Sequence, residues 1–276
     1  MSSNNWIRLV PARGKPQLRF VCFPHAGGSA SFFRPWATHL PDGVELAAAC
    51  YPGREDRIGD PPAEFMADLA APLAAASASL PELPTVFFGH SMGASVAYET
   101  ALGLERDYGI GLTALCVSGR GAPGHEGSRK PVPDDDATLV HEIVRLGGTE
   151  RAALDGELRE LVLPVIRADY RLIDRYYDDH QAAPVSAPLI AYYGLGDESL
   201  HEQSVSAWSA FTRAEFSLRS MPGDHFYLSA DVGGLVRDIL DQVRVAVPRG
   251  NPCLSRECEG LKDHIRTGSY RPLLCH

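Results

Sequence analysis

No run of about 18 apolar side chains occurs in this chain of 276 residues, so nothing in it is built to cross a bilayer as a helix. Positive charge is also in short supply. Lys and Arg number 26 against 35 Asp and Glu, a formal charge of −9. A surface with that balance repels phosphate backbones, and no local basic patch offsets it, so nucleic acid is not an expected partner. The opening MSSNNWIRLV lacks the basic region, apolar core and small-residue cleavage site of a secretory signal, and a cytoplasmic location is expected. Cysteine is sparse, with six residues, too few for a disulfide scaffold at this length. Cys22, Cys50 and Cys116 lie in apolar segments and read as core packing. Cys253, Cys258 and Cys275 lie in the polar C-terminal tail, near His264 and His276. No second cysteine pair completes a tetrahedron there, so no structural zinc is expected.

What is present is an ordinary globular composition, 45% hydrophobic and 22% charged. Short apolar runs recur at 17–24, 44–51, 84–90, 112–118, 188–194 and 215–219. Runs of this kind match strands buried on both faces of a parallel sheet. Helical patterns lie between them at 62–80, 91–107, 201–212 and 231–246. The alternation predicts an α/β fold, with a mostly parallel central sheet and helices on both faces. Two successive helical stretches, 134–147 and 155–178, break the pattern with no strand between them. An insertion of that kind usually sits over the sheet's C-terminal edge, where ligands bind. The expected organisation is a core of 1–130 and 181–247, an inserted helical lid at 131–180, and a poorly ordered tail at 248–276.

The strongest chemical signal is Gly89-His90-Ser91-Met92-Gly93, a G-x-S-x-G sequence that follows an apolar strand and opens a helix. Its glycines leave room for a tight turn that holds the serine in a strained conformation. The turn lifts Ser91 Oγ out of the sheet, and the Met92 amide then faces the oxygen that turns negative in a tetrahedral intermediate. A second amide is expected from Phe23-Pro24-His25-Ala26-Gly27-Gly28-Ser29, with Ala26 as the candidate. The paired glycines do not form a phosphate cradle, since neither G-x-G-x-x-G nor a P-loop pattern is present.

A nucleophilic serine needs a histidine base, and the base needs an orienting carboxylate. In α/β hydrolases the chain order is serine, acid, histidine. Among the late histidines, only His225 follows a strand through a short loop. Asp197 is the first carboxylate beyond the strand at 188–194, with Glu198 and Asp224 as alternatives. His90 reads as a hydrogen-bonded packing residue. Asp169 and Tyr170 either line a channel or, as favoured, hold the insertion to the body.

Five segments in order, Phe23–Ala30, Tyr51–Glu55, Gly89–Gly93, Ser118–Arg120 and Gly223–Phe226, together with Leu163-Pro164 and Arg167–Tyr170, resemble the type II thioesterases. These are the stand-alone editing enzymes of polyketide and nonribosomal-peptide assembly lines. The likeness runs from residue 5 to about 246. It implies an α/β-hydrolase fold, a Ser91–His225–Asp197 triad and an oxyanion hole from the Ala26 and Met92 amides. It also implies a lid over a channel for an acyl-phosphopantetheine arm, acyl-loaded carrier proteins as partners, and no cofactor or metal. The family often has Asp-Asp-Pro where this chain has Asp197-Glu198-Ser199, which alters the loop but keeps the first carboxylate. Carrier docking is then expected of local basic residues, Arg120, Arg129 and Lys130. A carboxylesterase, a lipase or an acyltransferase of the same fold are the alternatives.

Overall fold

Six of the apolar runs become strands of a single seven-stranded sheet in the computed structural model, which describes residues 5–125, 135–147, 157–179 and 183–246. The strands are β1 (Ile7–Val10), β2 (Leu18–Phe23), β3 (Val44–Ala49), β4 (Thr85–His90), β5 (Ala114–Ser118), β6 (Leu189–Gly194) and β7 (Phe216–Met221). Their order across the sheet is β1-β3-β2-β4-β5-β6-β7. All neighbours are parallel except β1, which pairs antiparallel with β3. The expected α/β architecture is therefore present.

β1 was not anticipated from sequence. Only its first residue, Ile7, is buried, so this edge strand carries too little apolar pattern to read. The 201–212 stretch also differs from expectation. It splits into a short helix, α5 (Glu202–Ser206), and a 3-10 turn, Ala207–Phe211.

The central strands are apolar on both faces because helices cover both. From β2, β4 and β5, Val21, Phe23, Phe87, Leu115 and Val117 point to one side. There they meet α1 (Met66–Ala78) and α2 (Met92–Tyr108) through residues such as Leu69, Leu73, Val96 and Leu104. Phe20, Cys22, Val86, Phe88 and Cys116 point to the other side. They meet α6 (Val232–Ala246), whose Leu235, Ile239 and Val243 repeat every fourth residue on one helical face. A 3-10 segment, Ala30–Thr38, completes that layer with Phe33 and Trp36 packed edge-on. The Cys22, Cys50 and Cys116 thiols are free and buried in these layers, as packing residues.

Parallel strands end at a common edge. Phe23 lies opposite Gly89, His90 opposite Ser118, Ser118 opposite Tyr192 and Gly194 opposite Met221. Five loops from distant parts of the chain are thereby brought to one rim. Between β5 and β6 the chain forms α3 (Asp136–Leu146) and α4 (Glu157–Asp179), the two helices expected at 134–147 and 155–178. Asp135 caps α3 by accepting from the Thr138 N–H at 2.8 Å. A small cluster of Leu139, Ile143, Leu163 and Ile166 joins the pair. The second half of α4 returns to the main core through Leu172 and Tyr176, and the Tyr176 hydroxyl donates to Glu99 at 2.7 Å. The 248–276 tail lies outside the described residues.

The tightest point of the fold is the β4–α2 turn. A Cβ on Gly93 would overlap the Phe23 and Pro24 carbonyls, and one on Gly89 would overlap the Gly93 carbonyl. Both obstacles are backbone and neither can swing aside. Gly93→Ala should therefore destabilise the protein by about 3 kcal/mol or more, lowering the melting temperature by roughly 6–12 °C for a domain of this size. A calorimetric shift of under about 2 °C would contradict this account of the turn.

Candidate active site

Ser91 sits at the apex of that turn, between the last residue of β4 and the first of α2. Its φ of 55° and ψ of −120° lie where side chains are strained, at a cost of about 1–3 kcal/mol. The surroundings enforce the conformation. The Ser91 N–H donates to the Ser118 carbonyl at 2.7 Å, and the Ser91 carbonyl accepts from the Ala94 N–H at 3.0 Å. As the N-terminal cap of a 17-residue helix, Ser91 also stands at the positive end of the α2 dipole. The Met92 N–H belongs to the first helical turn and has no acceptor within the helix.

Two rim loops bring His225 and Asp197 together. His225 follows β7 and Asp197 follows β6, and the loops are tied by the Gly196 N–H donating to the Gly223 carbonyl at 2.7 Å. His225 Nδ1 lies 2.6 Å from Asp197 Oδ2, with the two residues 7% and 8% exposed. The other carboxylate oxygen, Oδ1, accepts from the Ser199 amide at 3.0 Å and its hydroxyl at 2.5 Å. The two alternative acids lie elsewhere. Glu198 is exposed. Asp224, also exposed, accepts from the Phe226 amide at 3.0 Å and so caps its own turn.

A cleft opens over these groups. Ser91, His225, Ala26 and His25 line it together with Ile143, Leu146, Tyr170 and Phe226. Four of the five predicted site residues thus meet in one place or pair with a residue that does. Met92 is buried just behind Ser91 at the helix start. The wall residues from α3 were not foreseen, because an amphipathic helix does not show from sequence which of its apolar residues face a ligand.

Asp169 and Tyr170 divide the two roles considered for them. Tyr170 lines the cleft. Asp169 is 2% exposed and holds α4 to the body. Its Oδ2 accepts from the Gly27 amide at 2.7 Å and pairs with the Arg54 guanidinium. Arg54 also donates to the Pro52 carbonyl at 2.8 Å. Sequence reading gave Arg54 no role of its own, although it follows the end of β3 at the same rim.

His90 is fully buried, with Nδ1 2.9 Å from the Ser118 hydroxyl, itself 2.6 Å from the Tyr227 hydroxyl. Burial, reinforced by the charges of His225 and His25, pushes its pKa well down and keeps the ring neutral. It packs against His225 with ring centroids 5.0 Å apart, matching the packing role expected of it. Arg120 departs from expectation as a docking residue. It is 8% exposed and its carbonyl accepts from the Trp208 indole at 3.0 Å. Arg129 and Lys130 lie outside the described residues.

A parallel sheet whose strand-to-helix turn raises a strained serine beside a buried imidazole–carboxylate pair is the architecture of the serine hydrolases. The thioesterase domain family model matches residues 19–243. Thioesterase PikA5 of Streptomyces venezuelae is 39% identical over 254 residues, 91% of this chain and 89% of that protein. The gramicidin S biosynthesis protein GrsT of Aneurinibacillus migulanus is 31% identical, over 88% of this chain and 96% of its own length. Among solved structures, the type II thioesterase BorB from the borrelidin biosynthetic cluster superposes with a TM-score of 0.78 at 34% identity, covering 88% of this chain and 99% of its own. The chain belongs to the thioesterase family, as a type II thioesterase of polyketide and nonribosomal-peptide biosynthesis and a thioester hydrolase of the serine type.

The electrostatics of the Asp197–His225 pair give a testable pH dependence. Burial by itself raises the Asp197 carboxyl, but the hydrogen bond and charge of His225, with the Ser199 donors, outweigh it and hold the group below its ordinary 3.8. A carboxyl lowered in the folded state stabilises the fold above its unfolded pKa, and that contribution is lost as pH falls through the folded value. The difference in unfolding free energy between wild type and Asp197→Asn should be present at about pH 5 and shrink as the pH is taken below about 4. Urea denaturation across this range measures it, and a difference that grows on acidification would contradict the sign.

Proposed function

We propose that this chain removes acyl groups from the phosphopantetheinyl thiol of carrier proteins through an acyl-serine intermediate on Ser91. His225 acts as base, Asp197 as its orienting acid, and the Ala26 and Met92 amides as the oxyanion hole. One observation carries the reading: Ser91 and His225 line the same cleft, while His225 Nδ1 is committed to a buried carboxylate at 2.6 Å. That bond leaves Nε2 for the serine hydroxyl and fixes the tautomer able to accept its proton. The relatives support the substrate class, since GrsT is a gramicidin S biosynthesis protein and BorB is a type II thioesterase from a biosynthetic cluster.

In the first half-reaction, His225 takes the proton of Ser91 as Oγ attacks the thioester carbonyl. The carbonyl oxygen becomes negative and is met by the two amides, aided by the α2 dipole. The carbon–sulfur bond breaks, and the pantetheine sulfur leaves with the proton from His225. In the second half, His225 deprotonates water, which attacks the acyl-Ser91 ester. The free acid departs and Ser91 recovers its proton. Neutral His90 suits this cycle, because a second positive charge at 5.0 Å would oppose the imidazolium formed on His225.

The 131–180 insertion serves as a lid on a hydrolase core formed by 1–130 and 181–247. Its Ile143, Leu146 and Tyr170 wall the acyl end of the cleft. A cytoplasmic setting follows from the carrier-protein substrate.

Intact-mass spectrometry of acyl-carrier proteins tests the reading. Wild type should strip the acyl mass, whereas Ser91→Ala should leave it in place. Asp197→Asn should lower kcat by roughly 10²–10⁴, and Glu198→Gln by less than about tenfold. Cleavage of simple esters with acyl-carrier proteins left intact would point to a carboxylesterase instead.

A further inference from the structure

The Asp169–Arg54 pair has no place in the chemistry just described, yet both side chains are almost completely buried, at 3% and 6% exposure. Burying an ion pair is costly, and apolar residues of similar volume usually serve stability as well or better. The pair therefore calls for a reason other than stability. Its geometry supplies one. Asp169 Oδ2 also accepts the Gly27 N–H at 2.7 Å, and Gly27 directly follows Ala26 in the oxyanion loop.

That loop is a tight turn. The Gly28 N–H donates to the His25 carbonyl at 2.9 Å, leaving Ala26 and Gly27 at the centre. Gly27 has a φ of 74°, as the third residue of a type II turn requires. The Ala26–Gly27 peptide is the group that rotates when such a turn changes type, and Asp169 holds its N–H. α4 presses on the same point, since a Cβ on Gly27 would lie 2.5 Å from Ile166 Cγ1. It also rests on the β3 loop, where a Cβ on Gly53 would lie 3.4 Å from Val165. Arg54, on that loop, fixes the carboxylate from the other side while donating to Pro52.

We infer that Asp169 is a positioning residue that locks the Ala26–Gly27 peptide from the lid helix and, across Ala26 Cα, orients the adjoining His25–Ala26 peptide whose N–H is the oxyanion donor, so that seating of α4 sets the oxyanion hole. The inference rests on the oxyanion role proposed for Ala26. It makes the hole competent only with α4 in place, which links closure over the acyl group to stabilisation of the transition state.

The test separates the acceptor from the charge. In R54M/D169N no charge is buried and an amide oxygen still faces the Gly27 N–H. In R54M/D169L no charge is buried and the acceptor is gone. With an acyl-N-acetylcysteamine thioester, which needs no docking surface, R54M/D169N should keep kcat within about fivefold of wild type. R54M/D169L should lose about 30-fold or more in kcat, with KM within about threefold. Inhibition by a trifluoromethyl ketone, whose serine adduct carries an oxyanion, should weaken in parallel with kcat. Asp169→Glu keeps the ion pair but displaces the acceptor by a methylene, and should show the same split at about tenfold. Equal kcat in the two double variants, or a loss confined to KM with ketone inhibition unchanged, would overturn the inference. Turnover that survives Ser91→Ala would instead overturn the triad reading beneath it.

Discussion

The site depends first on how closely the β4–α2 turn approaches the end of β2. Gly93 lies against the Phe23 and Pro24 carbonyls with no space for a single methyl group. This closeness sets the serine at the apex, aims the start of α2 at it, and brings the β2 loop with Ala26 to the same cleft. The strain at Ser91 is tolerated because the surrounding backbone leaves no alternative. The Ser118 carbonyl, from the neighbouring strand β5, takes its amide. Backbone sterics in two strands and a helix therefore impose one conformation on one residue.

A second constraint is electrostatic. Three imidazoles, His25, His90 and His225, crowd within a few ångströms of one another. His225 faces a carboxylate, and that carboxylate stays ionised because His225 and Ser199 compensate its burial. His90 is instead tied to neutral hydroxyls and kept uncharged by its surroundings. The same ring type thus takes two roles according to what faces it, which no property of the histidine side chain alone decides.

The inserted helices show how an appended element becomes part of a site. Among the described residues, four buried side chains join them, with Val140, Val144, Val162 and Tyr170 packed around and Asp136 paired with Arg167. α4 reaches the body through Leu172 and Tyr176 in the main core and through Asp169 at the rim. Anchorage at the two ends of the contact leaves the intervening face to line the cleft, and the polar anchor falls on the loop beside Ser91.

The sheet, its parallel sense and the helical interruption were legible in the sequence because short continuous apolar runs and the helical patterns between them are local properties. The strained serine was legible too, since glycines two residues either side of it announce a turn no other residue admits. Asp197 was preferred to Glu198 and Asp224 from its place at the strand end, and the meeting of the β6 and β7 loops puts its carboxylate against His225. β1 escaped notice because an edge strand with one buried residue has almost no pattern. Arg54 and Asp169, 115 positions apart, could be matched only in three dimensions. Sequence determines the spacing of apolar and small residues, and that spacing sets elements and turns. The pairing of charges and the neutrality of a buried ring depend on distance and burial, and these exist only once the chain has folded.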